Sequence, residues 1–289
     1  MKSLAGCLLG LAVLVMSCTS PITVDSDAGQ MTLDERPDRI VSLSATHTEI
    51  LFAIAADHLV VATDLTSNFP TAAEATPKVD AFNFNVEEIA AVEPDLVITA
   101  FNFLGEVSAL QAVGIPVLLL APASNMEDAY HQIEILGEVT GRSDEAANLV
   151  SSMRTRVEAL INTASGDSLT VFHEVENTLF SANSSTFLGD IYRRLGLSNI
   201  ADAVPDDFGS GYVQLSEEYV ISQDPDLIFL GDADFGESIE SIGARPGWDT
   251  LTAVRRGAVF ELDGDIAGRW GPRTVDLVED IVTAINSVS

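Results

Sequence analysis

Histidine and acidic side chains are the residues of this chain best suited to binding a metal ion. His47 and His173 stand at or near the ends of two strand-like runs, one in each half of the sequence, and Glu174 follows His173 directly. Imidazole and carboxylate groups are common ligands of zinc and manganese. One hypothesis is therefore a free divalent ion held by the two histidines and a carboxylate such as Glu174. The alternative is that each histidine is simply hydrogen-bonded beside its strand.

Sequence signatures of catalysis are missing from this chain. It contains no Gly-x-Ser-x-Gly nucleophile turn, no Gly-x-x-x-x-Gly-Lys-Ser/Thr phosphate loop and no His-Glu-x-x-His zinc motif. An enzyme is therefore the less favoured class, and a binding protein that performs no chemistry is the favoured one.

The word Ala-Phe-Asn-Phe occurs twice, at Ala81–Phe84 and Ala100–Phe103, in segments that look like loops. The second copy directly follows the strand-like run Leu96–Thr99, and the first precedes a helix that Asn85 can cap. In open α/β sheets, ligands bind at the carboxyl ends of the strands. We therefore expect an aromatic wall that suits a large, flat, apolar ligand, unless one or two of the rings turn into the core. The wall would consist of Phe82, Phe84, Phe101 and Phe103.

The elements that must position these residues alternate between strand-like and helical patterns from Arg39 onward. This alternation indicates βαβ units and mostly parallel sheets. Residues 125–165 differ, because they have helical periodicity without a strand pattern. The sequence predicts an α/β fold in which two lobes, residues 38–124 and 166–289, are joined by a single long backbone α-helix. The strand-like runs are Ile40–Leu43, Leu59–Ala62, Leu96–Thr99, Val117–Leu120, Leu169–Val175, Leu227–Leu230 and Val259–Leu262.

The net charge of this 289-residue chain is −30, from 44 acidic and 14 basic residues. Such a field repels nucleic acids and anionic membrane surfaces, so we exclude DNA and RNA as partners. The acidic residues are spread along the chain, which favours a solvated acidic surface suited to a salty habitat.

The first residues form a targeting segment rather than part of the fold. Lys2 precedes an apolar run that ends near Cys18, and no later apolar stretch reaches the ~20 residues needed to span a membrane. Cys7 fits the lipoprotein cleavage pattern more closely but comes too early, because no hydrophobic region precedes it. We predict a signal peptide over residues 1–17, lipidation at Cys18 and a flexible tether over residues 18–37. The alternative is simple secretion with an unmodified cysteine.

The stretch Arg39–Asp64 reads "RIVSLSATHTEILFAIAADHLVVATD". It resembles the opening of the extracytoplasmic binding proteins that deliver vitamin B12, iron–siderophores or haem to ABC importers, except that Ala45 replaces the usual proline. The likeness covers nearly all of residues 38–289. Further similar stretches, in the family's order, are Asn85–Ile98, Arg245–Asp265 and Gly268–Glu279.

The resemblance implies two Rossmann-like lobes with the ligand in a cleft between them. It also implies a substrate-binding lipoprotein outside the cytoplasm, attached to the cell membrane through its N-terminal lipid only, that delivers a metal chelate to an importer's permease and ATPase. The chelate would be a cobalamin, an iron–siderophore or haem. We expect a monomer with no cofactor of its own.

Ligand contacts beyond the aromatic wall are expected on both lobes. His47 lies in the stretch similar to the family's opening, and Tyr212 takes the aromatic place in a loop similar to the family's glycine-rich loop. Ser184 precedes a helix whose free N–H groups can meet a carboxylate or phosphate. Arg269 and Trp270 lie before the last helix, and an anionic chelate would pair with Arg269.

Glu87 and Glu218 occupy matching positions in two similar stretches, "EEIAAVEPDLVI" and "EYVISQDPDLIF". The helix dipole stabilises a glutamate in a first helical turn, which alone explains each residue. In the vitamin B12-binding relatives, one surface glutamate per lobe docks onto arginines of the permease. Because these glutamates match Glu87 and Glu218 by motif, the resemblance implies the same docking role here.

Overall fold

The computed structural model describes residues 21–166 and 168–288, so the predicted signal peptide, Cys7 and Cys18 lie outside the described residues. Within the described ranges the strands form two parallel sheets and two antiparallel pairs. The strands are β1 (Ile22–Val24), β2 (Met31–Leu33), β3 (Ile40–Leu43), β4 (Val60–Asp64), β5 (Lys78–Val79), β6 (Leu96–Thr99), β7 (Val117–Leu119), β8 (Thr170–Glu174), β9 (Phe180–Ala182), β10 (Ser198–Asn199), β11 (Tyr212–Gln214), β12 (Leu227–Leu230) and β13 (Val259–Glu261).

Helices cover the parallel sheets and connect the two halves of the chain. None of the helices in the described ranges combines the length and the apolar character needed to cross a membrane. They are α1 (Ala45–Ala53), α2 (Thr71–Glu74), α3 (Val86–Ala90), α4 (Glu106–Ala112), α5 (Met126–Thr140), α6 (Ser143–Ile161), α7 (Phe187–Arg194), α8 (Glu217–Gln223), α9 (Ile239–Ala244), α10 (Thr252–Arg256), α11 (Gly264–Ala267) and α12 (Thr274–Val288).

Each half of the chain contains one of the parallel sheets. The N-terminal sheet has the strand order β5-β4-β3-β6-β7, and the C-terminal sheet has the order β10-β8-β12-β13. Every residue of β3, β6 and β12 is buried. Because helices cover both faces of a parallel sheet, its central strands are continuous apolar runs rather than alternating ones. The predicted α/β fold is confirmed.

The N-terminal segment is packed against the N-terminal lobe. Strands β1 and β2 pair as an antiparallel hairpin, and Ile22, Val24 and Leu33 are buried in the main hydrophobic core. The Ser26 hydroxyl donates a 3.0 Å hydrogen bond to the carbonyl oxygen of Leu119 at the end of β7. The prediction of a flexible tether over residues 18–37 is therefore wrong from residue 21 onward, because the buried apolar residues of this short hairpin hold it on the lobe.

The helical linker predicted over residues 125–165 contains two helices, α5 and α6. Helix α5 ends at Gly141, which has the left-handed φ of 73° that favours glycine. Helix α6 then returns along α5, and a Cβ at Gly137 would lie only 2.4 Å from the Cβ of Ala146. Glycine at position 137 thus permits the close packing of this antiparallel helix pair.

Candidate ligand-binding cleft

Two adjoining cavities are lined by residues of both lobes, and we call them together the cleft. The larger cavity has a volume of about 450 Å³ and the smaller about 250 Å³, and Gly264, Gly268 and Trp270 line both. Residues that directly follow β3, β4 and β6 line the larger cavity, and residues that follow β7, β8 and β12 line the smaller one. The cleft therefore lies at the carboxyl ends of the parallel strands, where open α/β sheets bind ligands.

Three of the four phenylalanines of the Phe-Asn-Phe pairs line the larger cavity. Phe101 and Phe103 stack with their ring centroids 5.0 Å apart, and Phe82 belongs to the other pair. Phe82 and Phe103 are 71% and 80% exposed. Phe84 does not line the cavity; it is partly buried against the core cluster of the N-terminal lobe, so we do not assign it a ligand contact.

Trp270 stands where the two cavities meet, and a buried glutamine holds it. The Trp270 indole N–H donates to Oε1 of Gln132 at 2.8 Å, and Gln132 Nε2 donates to the carbonyl oxygen of Ala121 at 2.7 Å. Sequence reasoning missed Gln132; its only signal is a polar residue on the apolar face of α5, three residues after the buried Ala129. Because both ends of its amide are engaged, Gln132 fixes the orientation of the indole.

His47 packs against Trp270 and does not line either cavity. The imidazole is fully buried, its Nε2 lies 3.1 Å from Gln132 Oε1, and its ring packs edge-on to the Trp270 ring at 6.2 Å. Since Oε1 can only accept, His47 is the tautomer with the proton on Nε2. Burial lowers the pKa of His47 to about 4, so it is neutral at neutral pH. The predicted direct ligand contact at His47 is corrected to a supporting position.

Arg269 lines the larger cavity, but its guanidinium is already paired. Nη1 donates to Glu49 Oε1 at 2.7 Å and to Asn68 Oδ1 at 2.9 Å. Nη2 donates to the carbonyl oxygen of Thr66 at 3.0 Å and to Asp265 Oδ1 at 2.6 Å. All four hydrogens of the two Nη atoms are therefore committed, and an anionic chelate could pair with them only by displacing one of these partners.

The smaller cavity is lined by Tyr212 of β11 and by the start of α7. Tyr212 is half exposed, and Ser185 and Thr186 line the cavity beside it. Ser184 does not, because its backbone N–H and hydroxyl both donate to the carboxylate of Asp202 at 2.7 Å. At this helix start the cavity is therefore lined by Ser185 and Thr186 and not by the predicted Ser184.

The hypothesis of a free divalent ion is not supported by the geometry. His173 Nδ1 lies 2.9 Å from the hydroxyl of Tyr192, and both oxygens of Glu174 accept hydrogen bonds from Arg245 at 2.6 Å. Burial lowers the pKa of His173 to about 3. Across residues 21–166 and 168–288, no three histidine, cysteine or acidic side chains are grouped so that they could hold a metal ion.

Glu87 and Glu218 are exposed in equivalent helices of the two lobes. Each lies in the first turn, of α3 and α8 respectively, and an N-cap side chain, Asn85 or Ser216, accepts a backbone N–H of that turn. Helix α3 is followed by β6, which pairs with β3, and helix α8 is followed by β12, which pairs with β8. Because a helix before such a strand begins at the carboxyl edge of the sheet, both glutamates flank the cleft.

Comparison with known proteins gives one family over most of the chain. The sequence profile described as "periplasmic binding protein" matches residues 40–266. An uncharacterized ABC transporter substrate-binding lipoprotein of Bacillus subtilis is 28% identical over 276 residues, which cover 92% of this chain and 85% of that protein. A cobalamin-binding protein of Halobacterium salinarum is 27% identical over 285 residues, which cover 94% of this chain and 76% of the relative.

Solved structures have the same architecture. A possible iron-binding, periplasmic solute-binding protein of Staphylococcus epidermidis superimposes with a TM-score of 0.76 at 28% identity, over 87% of this chain and 99% of that one. The periplasmic vitamin B12 binding protein of Vibrio cholerae superimposes with a TM-score of 0.73 at 24% identity, over 87% of this chain and 97% of that one. At this lower identity, the second likeness shows the fold alone.

Proposed function

The chain belongs to the periplasmic binding protein family, and on that basis we propose that it is the substrate-binding lipoprotein of an ABC importer. It captures a metal chelate of the cobalamin, iron–siderophore or haem kind in the cleft and delivers it to the importer's permease. The matched relatives are binding proteins of transporters rather than enzymes, and the chain performs no chemistry on its cargo.

The aromatic lining of the cleft is the observation that carries this proposal. Phe82, Phe101 and Phe103 come from the N-terminal lobe and Trp270 from the C-terminal lobe. Aromatic rings offer large contact areas to a flat macrocycle or chelate. Burying exposed apolar surface stabilises a complex by roughly 25 cal/mol per Å², and Phe82 and Phe103 are the most exposed rings of the larger cavity.

Capture involves only modest closure of the lobes. Two antiparallel helices, α5 and α6, connect the sheets. The carboxylate of Glu49 in the N-terminal lobe also pairs with Arg269 and Arg273 of the C-terminal lobe at 2.7 Å each. The lobes are therefore already joined on one side of the cleft, and the loops that carry the aromatic residues make the remaining adjustment.

Native mass spectrometry of protein purified from its host, combined with its visible absorption spectrum, tests the proposal. A bound mass with the absorption of a corrinoid, a ferric chelate or haem would support it. A protein that carries no chelate and binds none of cyanocobalamin, a ferric hydroxamate siderophore or haemin on addition would contradict it.

Replacing Trp270 with phenylalanine is expected to remove most of the fluorescence quenching that a bound chelate causes. The chain has two tryptophans, Trp248 and Trp270, and only Trp270 lines the cleft. Phenylalanine also offers the ligand a smaller ring than indole, and losing roughly 40 Å² of buried contact costs about 1 kcal/mol, so affinity should fall roughly fivefold. Quenching and affinity are read from one titration followed by tryptophan emission.

Trp248→Phe is the matched control for that titration. Trp248 is fully buried and packs edge-on to Phe172, with ring centroids 6.0 Å apart. Its removal should leave the quenching and the affinity unchanged. If the chelate quenches the emission of Trp270→Phe as strongly as that of the parent protein and binds it as tightly, Trp270 does not contact the ligand.

Lipid anchoring is proposed at Cys18, which follows the hydrophobic region of the signal peptide. Cys18→Ala should release the protein from the membrane fraction and abolish labelling with a radioactive or clickable fatty acid. Cys7→Ala is the control, because Cys7 lies within the segment that cleavage removes. Loss of lipidation in the Cys7 variant alone would show that the anchor site is Cys7.

A further inference from the structure

The charged side chains around the cleft are mostly acidic. Asp64, Glu106 and Asp265 line the larger cavity, and Arg269 is the one arginine or lysine among the described residues that line either cavity. Burial lowers the pKa of His173, which lines the smaller cavity, to about 3, so its ring is neutral at neutral pH. The lining therefore contains three acidic residues and a single arginine.

The Nη hydrogens of the Arg269 guanidinium are all bonded to protein groups. Arg269 is 7% exposed and pairs with the carboxylates of both Glu49 and Asp265. Its remaining Nη hydrogens bond to Asn68 and to the carbonyl oxygen of Thr66. A ligand carboxylate or catecholate could pair with Arg269 only by displacing one of these partners, and the displaced carboxylate would then face the ligand.

Two of the three carboxylates, Glu106 and Asp265, can still accept hydrogen bonds, whereas both oxygens of Asp64 are engaged by Thr66 and Ser67. A carboxylate has about four acceptor positions. Glu106 accepts the Leu104 N–H through Oε2 at 2.9 Å, the only hydrogen bond of its side chain within the described part of the chain. Asp265 accepts from Arg269 and from Asn68 Nδ2, both at 2.6 Å. The rim of the larger cavity therefore favours N–H and O–H donors and positive charge.

We infer that the cargo is a metal chelate without net negative charge, whose periphery carries hydrogen-bond donors such as carboxamides or an ammonium group. This inference rests on the proposed capture of a chelate and narrows its chemical class. Like charges a few ångströms apart repel appreciably even near a protein surface, and the net charge of −30 adds to the repulsion. Corrinoids with amide side chains and ferric hydroxamates fit this description, whereas catecholate chelates and porphyrins with free propionates do not.

Two matched pairs of chelates test the inference by isothermal titration calorimetry. The first pair is cyanocobalamin and its monocarboxylic acid, in which one side-chain amide is a carboxylate. The second pair is ferrioxamine B, which carries an ammonium group, and its N-succinyl derivative, which carries a carboxylate instead. We expect the member without net negative charge to bind at least about tenfold more tightly at low salt. The difference in affinity between the two chelates of a pair should become smaller at 1 M salt, where the Debye length is only ~3 Å.

The outcomes separate the charge preference from the proposed function. If an anionic member binds as tightly as its partner, or if haemin binds more tightly than every uncharged chelate, the charge preference is overturned while chelate capture stands. If none of these chelates binds, capture of a chelate is itself contradicted, and the inference falls with it.

Two variants, Glu106→Gln and Asp265→Asn, test whether the carboxylates of the larger cavity cause this charge preference. Glu106→Gln keeps the acceptor for the Leu104 N–H and removes the negative charge. The affinity ratio between the two chelates of each matched pair should therefore shrink about threefold to tenfold. Glu138→Gln is the control, because Glu138 is exposed on α5 and lines neither cavity. An unchanged affinity ratio in both Glu106→Gln and Asp265→Asn would overturn the role of these carboxylates.

Discussion

Replacing Glu49 with alanine is expected to lower the free energy of unfolding by about 3–5 kcal/mol, the cost of removing one partner of a buried ion pair. Glu49 belongs to α1, and its carboxylate contacts Arg269 at 2.7 Å and Arg273 at 2.7 and 3.0 Å. The side chain is only 1% exposed. The substitution would therefore leave two arginines of the C-terminal lobe side by side, without the carboxylate that joins them to the N-terminal lobe.

Urea unfolding at constant pH and ionic strength measures this effect. Glu49→Gln keeps the shape and part of the hydrogen bonding, so its loss should be smaller than that of the alanine variant. Glu138→Ala serves as the control, since surface substitutions usually change stability by less than ~0.5 kcal/mol and Glu138 is exposed. An alanine variant at position 49 as stable as the control would show that the contact between the lobes does not depend on this cluster.

The strands of the parallel sheets could be predicted from sequence because their physical signal is strong. Ile40–Leu43, Leu96–Thr99 and Leu227–Leu230 were predicted with the bounds that the structure has. Each is a central strand buried on both faces, so each is a continuous apolar run between polar segments. The two-residue edge strands β5 and β10 carry no such run and were missed.

Elements that depend on distant partners were harder to predict. The hairpin of β1 and β2 is short and lies among polar residues, so its pattern resembles a tether. The buried state of Ile22 and Val24 follows from their packing against the rest of the lobe, which local sequence does not report. A glycine such as Gly141 can end a helix, but whether the chain bends or folds back there depends on contacts such as Gly137 with Ala146.

The aromatic residues of the cleft could be predicted, whereas the pairing of its polar residues could not. Phe82, Phe101 and Phe103 stand beside strand ends, and strand ends determine where a cleft forms. Arg269, however, meets Glu49, which is 220 positions away in the chain. An arginine at the mouth of a cleft looks available to a ligand until its carboxylate partners are known, and those partners are the reason that we propose a cargo without net negative charge.

Replacing both Glu87 and Glu218 with alanine is expected to lower uptake by at least about tenfold while ligand affinity stays within about twofold, because rim charges act on docking rather than on the cleft. Both side chains are exposed, flank the cleft and line neither cavity. We propose that they pair with cationic groups of the permease, one for each lobe. Each single variant should be less impaired than the double variant, since the remaining glutamate still orients one lobe.

Glu88 and Glu217 provide the matched control, because they are exposed glutamates in the same first turns of α3 and α8. The helix dipole stabilises all four residues by a similar ~0.3–1 kcal/mol, so melting curves of the two double variants should coincide.

Uptake is measured in cells that lack the parental protein, and association with the purified importer is measured over a range of salt concentrations. The Glu87/Glu218 double variant should associate more slowly and show a weaker salt dependence than the parent, because fewer charge pairs remain to be screened. Equal impairment in the Glu88/Glu217 double variant would mean that docking depends on the general acidity of these helix starts. Normal uptake in both variants would mean that Glu87 and Glu218 stabilise only their own helices.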